Sequence, residues 1–257
     1  MKVSQITEII ENKVPKHLAY EWDNVGLLVG DKEKDVNSVF ITLDTNLETV
    51  KEAINEGADM IISHHPILFS PLKKIEYGTP EGDMIRLLIE NNIPLYAAHT
   101  NMDTANGGIN DKLAELLNLS DIKVLDENPL FPDTGLGRYG KIKAITLSDL
   151  TERVKSVLNT PLRFTGDENT IIETVAIGSG ACSELVPVAL KKGCDVLLTA
   201  DMKYHQMIDA SSLGLCVNDA GHYPTEICVM DIFEDILSDT NLNIIKSKNT
   251  DIFKFLF

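Results

Sequence analysis

Two stretches of the chain share one hydrophobic rhythm. Residues 38–65 read SVFITLDTNLETVKEAINEGADMIISHH, and residues 174–201 read TVAIGSGACSELVPVALKKGCDVLLTAD. Each opens on a short apolar run suited to a buried strand, then turns into apolar positions spaced three and four apart. Each reaches a glycine of the kind that ends helices and closes on a second apolar run, Asp-Met-Ile-Ile-Ser or Asp-Val-Leu-Leu-Thr. Strand, helix and strand at this spacing form a βαβ crossover, which demands parallel strands and a right-handed connection.

The two stretches align without a gap and are identical at seven of 28 positions, among them Val39/Val175, Gly57/Gly193 and Asp59/Asp195. Any two βαβ units need Val/Ile strands and a glycine stop, so identity alone does not establish common descent. A further strand follows in each half, residues 93–98 (IPLYAA) and 215–220 (LCVNDA), and each runs into a histidine. His99 is followed four residues later by Asp103, and His222 four residues later by Glu226. The expected fold class is therefore α/β, with two similar α/β lobes from an internal duplication. The first lobe takes residues 1–125, rejoined by 221–257, and the second takes 126–220. Residues 126–140, DENPLFPDTGLGRYG, read as a loop or linker. The segment from Thr225 to Leu237 reads as a helix, with a final strand after it returning to the first lobe. The aromatic end of the chain, residues 251–257, suits an edge strand or a subunit contact.

Charge narrows the function. With 23 Lys+Arg against 39 Asp+Glu the formal charge is −16, a field that repels phosphate backbones and favours cations, so broad nucleic-acid binding is disfavoured. The four cysteines form no C-x-x-C pair, which leaves buried free thiols in a reducing compartment as their simplest reading. Glu8 and Glu11 interrupt any signal-peptide core, and no uncharged apolar stretch approaches the roughly 20 residues that span a bilayer. The expectation is a soluble, cytoplasmic protein.

The candidate chemistry sits at strand ends, where ligands gather in open α/β sheets. His64 and His65 follow Met60-Ile-Ile-Ser63, and Pro66 stops the strand. Neighbouring side chains on a strand face opposite ways, so both histidines can serve one site only if the chain bends there. With Pro224 near a helix start, the four-residue spacing puts His222 and Glu226 on one helix face. Imidazole and carboxylate are the ligands of zinc, iron and manganese. His64, His65, Asp103, His222 and Glu226 are too few for two closed sites, but they suit two open ones if a carboxylate bridges. Open positions admit the water that hydrolysis requires. No phosphate-binding G-x-x-x-x-G-K-[ST] and no G-x-S-x-G elbow is present. Gly135-Leu-Gly137-Arg-Tyr-Gly140 is glycine-rich, but it does not open a helix and reads as a turn. His17, beside Pro15, reads as a surface residue.

Six motifs in order carry a resemblance that covers essentially the whole chain. They are Trp22-Asp-Asn-Val-Gly-Leu27, Ser63-His-His-Pro66, His99-Thr-Asn-Met-Asp103, Gly137-Arg-Tyr-Gly140, Asp201-Met-Lys-Tyr-His205 and Asp219-Ala-Gly-His222 with Glu226. Together they resemble the GTP cyclohydrolase I type 2 homolog family, also called the Nif-three-like dinuclear metal centre family. The resemblance implies a ring-shaped homohexamer and two divalent metal ions per chain, placed between the lobes at the strand C-terminal ends. It implies His65 and Asp103 on one ion, His64 and His222 on the other, and Glu226 bridging, with His99 and His205 facing substrate or supporting the ligands. The family name implies hydrolytic opening of the GTP imidazole ring with release of formate, His205 moving protons. The alternative is a non-catalytic metal-binding or regulatory ring acting through protein or nucleic-acid partners.

Overall fold

The computed structural model describes residues 1–256 and divides into two compact units. One unit is formed by Met1–Ala105 with Val229–Thr250, the other by Asn106–Cys228 with the residues from Asp251 onward. The first begins with helix α1 (Val3–Lys13), strands β1 (Gly26–Val29) and β2 (Ser38–Thr42), helix α2 (Leu47–Asn55) and strand β3 (Met60–Ser63). Helix α3 (Pro80–Glu90), strand β4 (Leu95–Ala97) and the short helix α4 (Thr100–Thr104) follow. The second unit runs through α5 (Ile109–Leu116), β5 (Ser120–Glu127), β6 (Gly135–Thr146), α6 (Leu147–Leu158), β7 (Arg163–Thr165) and β8 (Ile171–Ile177). It continues with α7 (Val186–Lys191), β9 (Val196–Thr199), α8 (Tyr204–Ser212), β10 (Cys216–Asp219) and α9 (His222–Glu226). The chain then returns to the first unit with α10 (Val229–Leu237) and β11 (Asn243–Lys246).

The first sheet has the order β1-β4-β3-β2-β11, with β1 alone antiparallel. Every residue of β2, β3 and β4 is buried, as expected of parallel strands covered on both faces. Helix α2 starts where the Asn46 side chain accepts from the backbone N–H groups of Glu48 and Thr49. It lays Val50 and Ala53 against Phe40, Ile61, Leu88 and Leu95. The second sheet has the order β5-β6-β8-β9-β10-β7, with β8, β9 and β10 parallel. Its core gathers Leu125, Leu185, Ala189, Leu197 and Val217.

The two aligned stretches fold alike in detail. Val39 pairs with Met60 across β2 and β3, and Val175 pairs with Val196 across β8 and β9. Asp59 accepts hydrogen bonds from the N–H groups of Asn37 and Ser38, and Asp195 accepts from those of Glu173 and Thr174. In both units this aspartate ties the start of the second strand to the start of the first. Strand register changes the alignment of the next segment. Ser63 pairs with Ala97, and its counterpart Thr199 pairs with Asp219, so His99 corresponds to Gly221 and Thr100 to His222. His99 and Gly221 are the residues that precede five-residue helices. The His-x-x-x-acid spacings are thus offset by one residue in the folded strands.

Three expectations take a different form. The unit boundaries lie at 105/106 and 228/229, not near 125 and 220, because β5 pairs with β6 and draws residues after 106 into the second sheet. Within 126–140, residues 128–134 are a loop as expected, but it joins the strands of a β5–β6 hairpin instead of linking two lobes, and Gly135–Gly140 is strand, not turn. A Cβ at Gly137 would meet the Ile177 carbonyl oxygen at 2.6 Å, so glycine there lets β6 lie close on β8. The helix expected over 225–237 is two helices, α9 and α10, and the returning strand is β11 beside β2. Residues 251–256 are in no strand, with Ile252 84% exposed. The four cysteines are buried, and none of them is in a disulfide. No helix among the described residues is long and apolar enough to cross a membrane.

Candidate functional site

In the first unit the carboxyl ends of β2, β3 and β4 lie level, with Thr42 paired to Ser63 and Ser63 to Ala97. The chain leaves each strand within two residues and delivers a polar side chain: Asp44 after β2, His64 and His65 after β3, His99 after β4. The bend before Pro66 resolves the alternation problem, since the rings of His64 and His65 lie 4.9 Å apart. His99 lies 5.1 Å from His64 and 5.4 Å from His65. The ligating atoms of these three histidines fall within 4.8 Å of one another and could hold a metal ion. Asp103, buried in α4, places Oδ1 3.7 Å from His64 Nε2.

In the second unit His222 and Glu226 share one face of α9, and His222 Nε2 lies 3.0 Å from Glu226 Oε2. Glu226 is 3% exposed. Gly180, at φ +60°, passes so close that a Cβ there would stand 2.1 Å from Glu226 Oε1. Asp219 shapes the loop ahead of His222: it pairs with Arg163, accepts from the Met202 N–H at 3.1 Å and from the Gly221 N–H at 3.3 Å.

All four histidines are held by Nδ1. His64 Nδ1 donates to the Ala98 carbonyl oxygen at 2.9 Å, and His65 Nδ1 lies 2.7 Å from Asp44 Oδ1. His99 Nδ1 lies 2.9 Å from Asp23 Oδ1, and His222 Nδ1 lies 2.8 Å from Asp201 Oδ2. An oxygen at Nδ1 fixes the ring and assigns the lone pair of the neutral imidazole to Nε2, the arrangement found behind metal-ligating histidines. Burial alone would raise the Asp23 carboxyl. Hydrogen bonds from His99 and from the Thr100 hydroxyl and N–H, with the charge of His99, outweigh it and hold the carboxyl at about 2.

Asp23, Asp44 and Asp201 escaped the sequence reading as histidine partners. Asp201 left one signal, because it occupies the position of His65 in the aligned stretch. It sits at φ +53°, a left-handed conformation that aspartate tolerates, and aims at His222 instead of standing in for a ligand. His205 is exposed in the first turn of α8 with its ring beside Tyr204, and it enters no metal-donor group among the described residues. His17 is exposed.

Parallel strands ending in histidine and carboxylate clusters, each imidazole backed by an oxygen, define a class of α/β proteins with groups that could hold a metal ion. The chain belongs to the Duf34/NIF3 (NGG1p interacting factor 3) family, whose model matches residues 1–252. It is 37% identical to the GTP cyclohydrolase 1 type 2 homolog of Clostridium perfringens, with 100% of each chain covered. Among solved structures it resembles a Bacillus cereus protein related to NIF3, at TM-score 0.91 and 28% identity, covering 100% of this chain and 99% of that one. It also resembles reduced HcgD from Methanocaldococcus jannaschii, at TM-score 0.83 and 36% identity, covering 97% and 98%.

Proposed function

We propose that this protein is a dinuclear divalent-metal hydrolase, its donors being His64, His65 and Asp103 from one unit and His222 and Glu226 from the other. The observation that carries this reading is the set of Nδ1 contacts. An imidazole whose Nδ1 is engaged by a carboxylate or carbonyl offers Nε2 in fixed orientation, and such support is what metal ligands need. The donor set fits zinc, iron or manganese. His65 and Asp103 would hold one ion and His64 and His222 the other, with Glu226 shared between them, and five donors would leave positions for water. When bound, such ions would supply an activated water and charge stabilisation for an oxyanion.

The chain's own residues supply the rest. Asp44 and Asp201 orient His65 and His222, and Gly180 leaves the Glu226 carboxylate room. His99, its Nδ1 fixed on the ionised Asp23, turns Nε2 away from that carboxylate and serves as a proton carrier beside the site. His205 is the second candidate for moving protons, reaching substrate from α8. The name of the Clostridium perfringens relative supports GTP or a related heterocycle as substrate. The matching backbone ties of Asp59 and Asp195 support an ancestral duplication. Assembly as a homohexamer in the cytoplasm completes the reading.

Elemental analysis of gently purified protein, followed by a formate-release assay with GTP, tests this. About two ions per chain are expected, with loss of both metal and turnover in His65→Ala and Glu226→Gln. Less than one ion per chain, with thermal stability indifferent to chelator, would sink the metal reading. Full metal without ligand-dependent turnover on nucleotides and heterocycles would sink the hydrolase. The exposed apolar residues Ile252, Phe253 and Leu256 favour the second reading, a metal-binding ring that presents a surface to a protein partner. Under that reading, truncation after Thr250 removes partner binding and leaves metal content unchanged.

A further inference from the structure

We propose that Trp22 and Phe69 form a stacking platform beside His99, which selects a planar heteroaromatic ring as the substrate's recognised part. This rests on the hydrolase reading for what happens to the ring, but the platform is argued from its own geometry. Trp22 is 62% exposed and Phe69 is 52% exposed, although both are large apolar rings that gain from burial. Both stand edge-on to one imidazole: the Trp22 centroid lies 6.0 Å from that of His99 at 73°, and the Phe69 centroid lies 5.7 Å away at 84°. Tyr20 stacks against Trp22 at 5.9 Å and 20°, backing the indole.

The backbone carrying these exposed rings is pinned. Asp23, next to Trp22, accepts from the Thr100 hydroxyl at 2.6 Å and from the Thr100 N–H at 3.0 Å, while its other oxygen meets His99. The Tyr20 N–H donates to the Thr100 hydroxyl at 3.0 Å. The Asn24 side chain donates to the Leu68 carbonyl oxygen at 2.5 Å, tying the Trp22 loop to the loop that carries Phe69. Two aromatic faces are thus held at fixed places around His99, whose own ring is set by Asp23 at Nδ1. Every heteroaromatic ring presents a π-face to such a platform, whereas a sugar or a phosphate does not, and stacking of this kind is tolerant of ring identity. An aromatic pair kept only for subunit contact would not need to surround an oriented imidazole.

The chain has one tryptophan, so Trp22 emission reads the platform directly. Zinc-loaded full-length protein is titrated in parallel with guanosine, adenosine and nicotinamide, and with ribose 5-phosphate as control. Saturable quenching by at least one heterocycle, none by ribose 5-phosphate, and a roughly tenfold or greater weakening in Phe69→Ala are expected. Calorimetry on Trp22→Leu should show the same weakening, and Trp22→Phe should restore most of the affinity. Zinc content, measured on each variant, should not change. Unchanged emission with all three heterocycles at full zinc overturns the platform. Quenching indifferent to Phe69→Ala overturns it too, as does a Trp22→Leu variant that loses only oligomer mass by light scattering. Heterocycle quenching that persists in protein unable to hold zinc overturns the metal reading and leaves the platform standing.

Discussion

Arg138 in β6 is 2% exposed, and each nitrogen of its guanidinium donates a hydrogen bond. Nε donates to Asp111 Oδ1 at 2.7 Å and Nη2 to Asp111 Oδ2 at 2.8 Å, a two-pronged pair with helix α5. Nη1 donates to the carbonyl oxygens of Gly135 and Gly137 at 2.9 and 2.8 Å. Asp111→Leu removes the countercharge and leaves the cation buried against two carbonyls. Stranding a buried charge costs about 3–5 kcal/mol, and the 18% exposure of the Asp111 side chain admits enough water to favour the lower end, about 3 kcal/mol. Arg138→Met should cost less, because the stranded carboxylate already reaches solvent. Removing both charges together, as in Asp111→Leu with Arg138→Met, should cost clearly less than the sum of the two single changes. Urea unfolding followed by far-UV circular dichroism gives the three midpoints, compared at unchanged slope. A cost under about 1 kcal/mol for Asp111→Leu, or a double variant as unstable as the sum, would refute the argument that the pair holds α5 on the sheet by charge compensation.

Three further outcomes follow from single contacts. Gly180→Ala puts a methyl group on the Glu226 carboxylate, so metal content by elemental analysis should fall sharply while far-UV circular dichroism stays native. Asp201→Ala removes the oxygen behind His222 Nδ1 and should weaken metal binding by roughly 10–100-fold in a competitive chelator titration, with Asp201→Asn less severe. Asp59→Asn should cost about 1 kcal/mol in the metal-free protein by urea unfolding. Burial alone would raise the Asp59 carboxyl, but the N–H groups of Asn37 and Ser38, the Lys34 charge and the Ser38 hydroxyl hold it below the usual carboxylate range. Its folded value is depressed, so its contribution is present above the ordinary carboxylate pKa and lost as pH falls through the folded value. The gap between wild type and Asp59→Asn should therefore be widest at neutral pH and close in acid.

What the sequence disclosed and what it hid divide along one physical line. The two βαβ units were legible because hydrophobic periodicity and a helix-ending glycine are local signals, and β2–α2–β3 and β8–α7–β9 form where they indicated. The histidines at the strand ends were legible for the same reason. The hairpin of β5 and β6 was not, since Pro, Asp and Gly together read as a loop, while Gly also serves where a strand lies close on a neighbour, and Gly137 against Ile177 is of that kind. Asp23, Asp44 and Asp201 were invisible as a set because each meets its histidine from 21 or 76 residues away, contacts that only the folded sheets create. The one-residue offset between His99 and His222 is already in the spacing, since His99 directly follows residues 93–98 while Gly221 separates 215–220 from His222, and strand register agrees with it.

The first sheet is finished by its last strand. β11 arrives after residue 242 to pair with β2, whose five residues are all buried, and everything between residues 106 and 228 is made in the meantime. A ribosome therefore releases the second unit's strands while β2 still lacks its outer neighbour. During that interval the open backbone edge of β2, with Val39 and Ile41 along it, is a template for any passing strand. The order of synthesis makes residues 243–246 a late seal against aggregation, and a chain that stops at Cys228 would keep that edge open permanently.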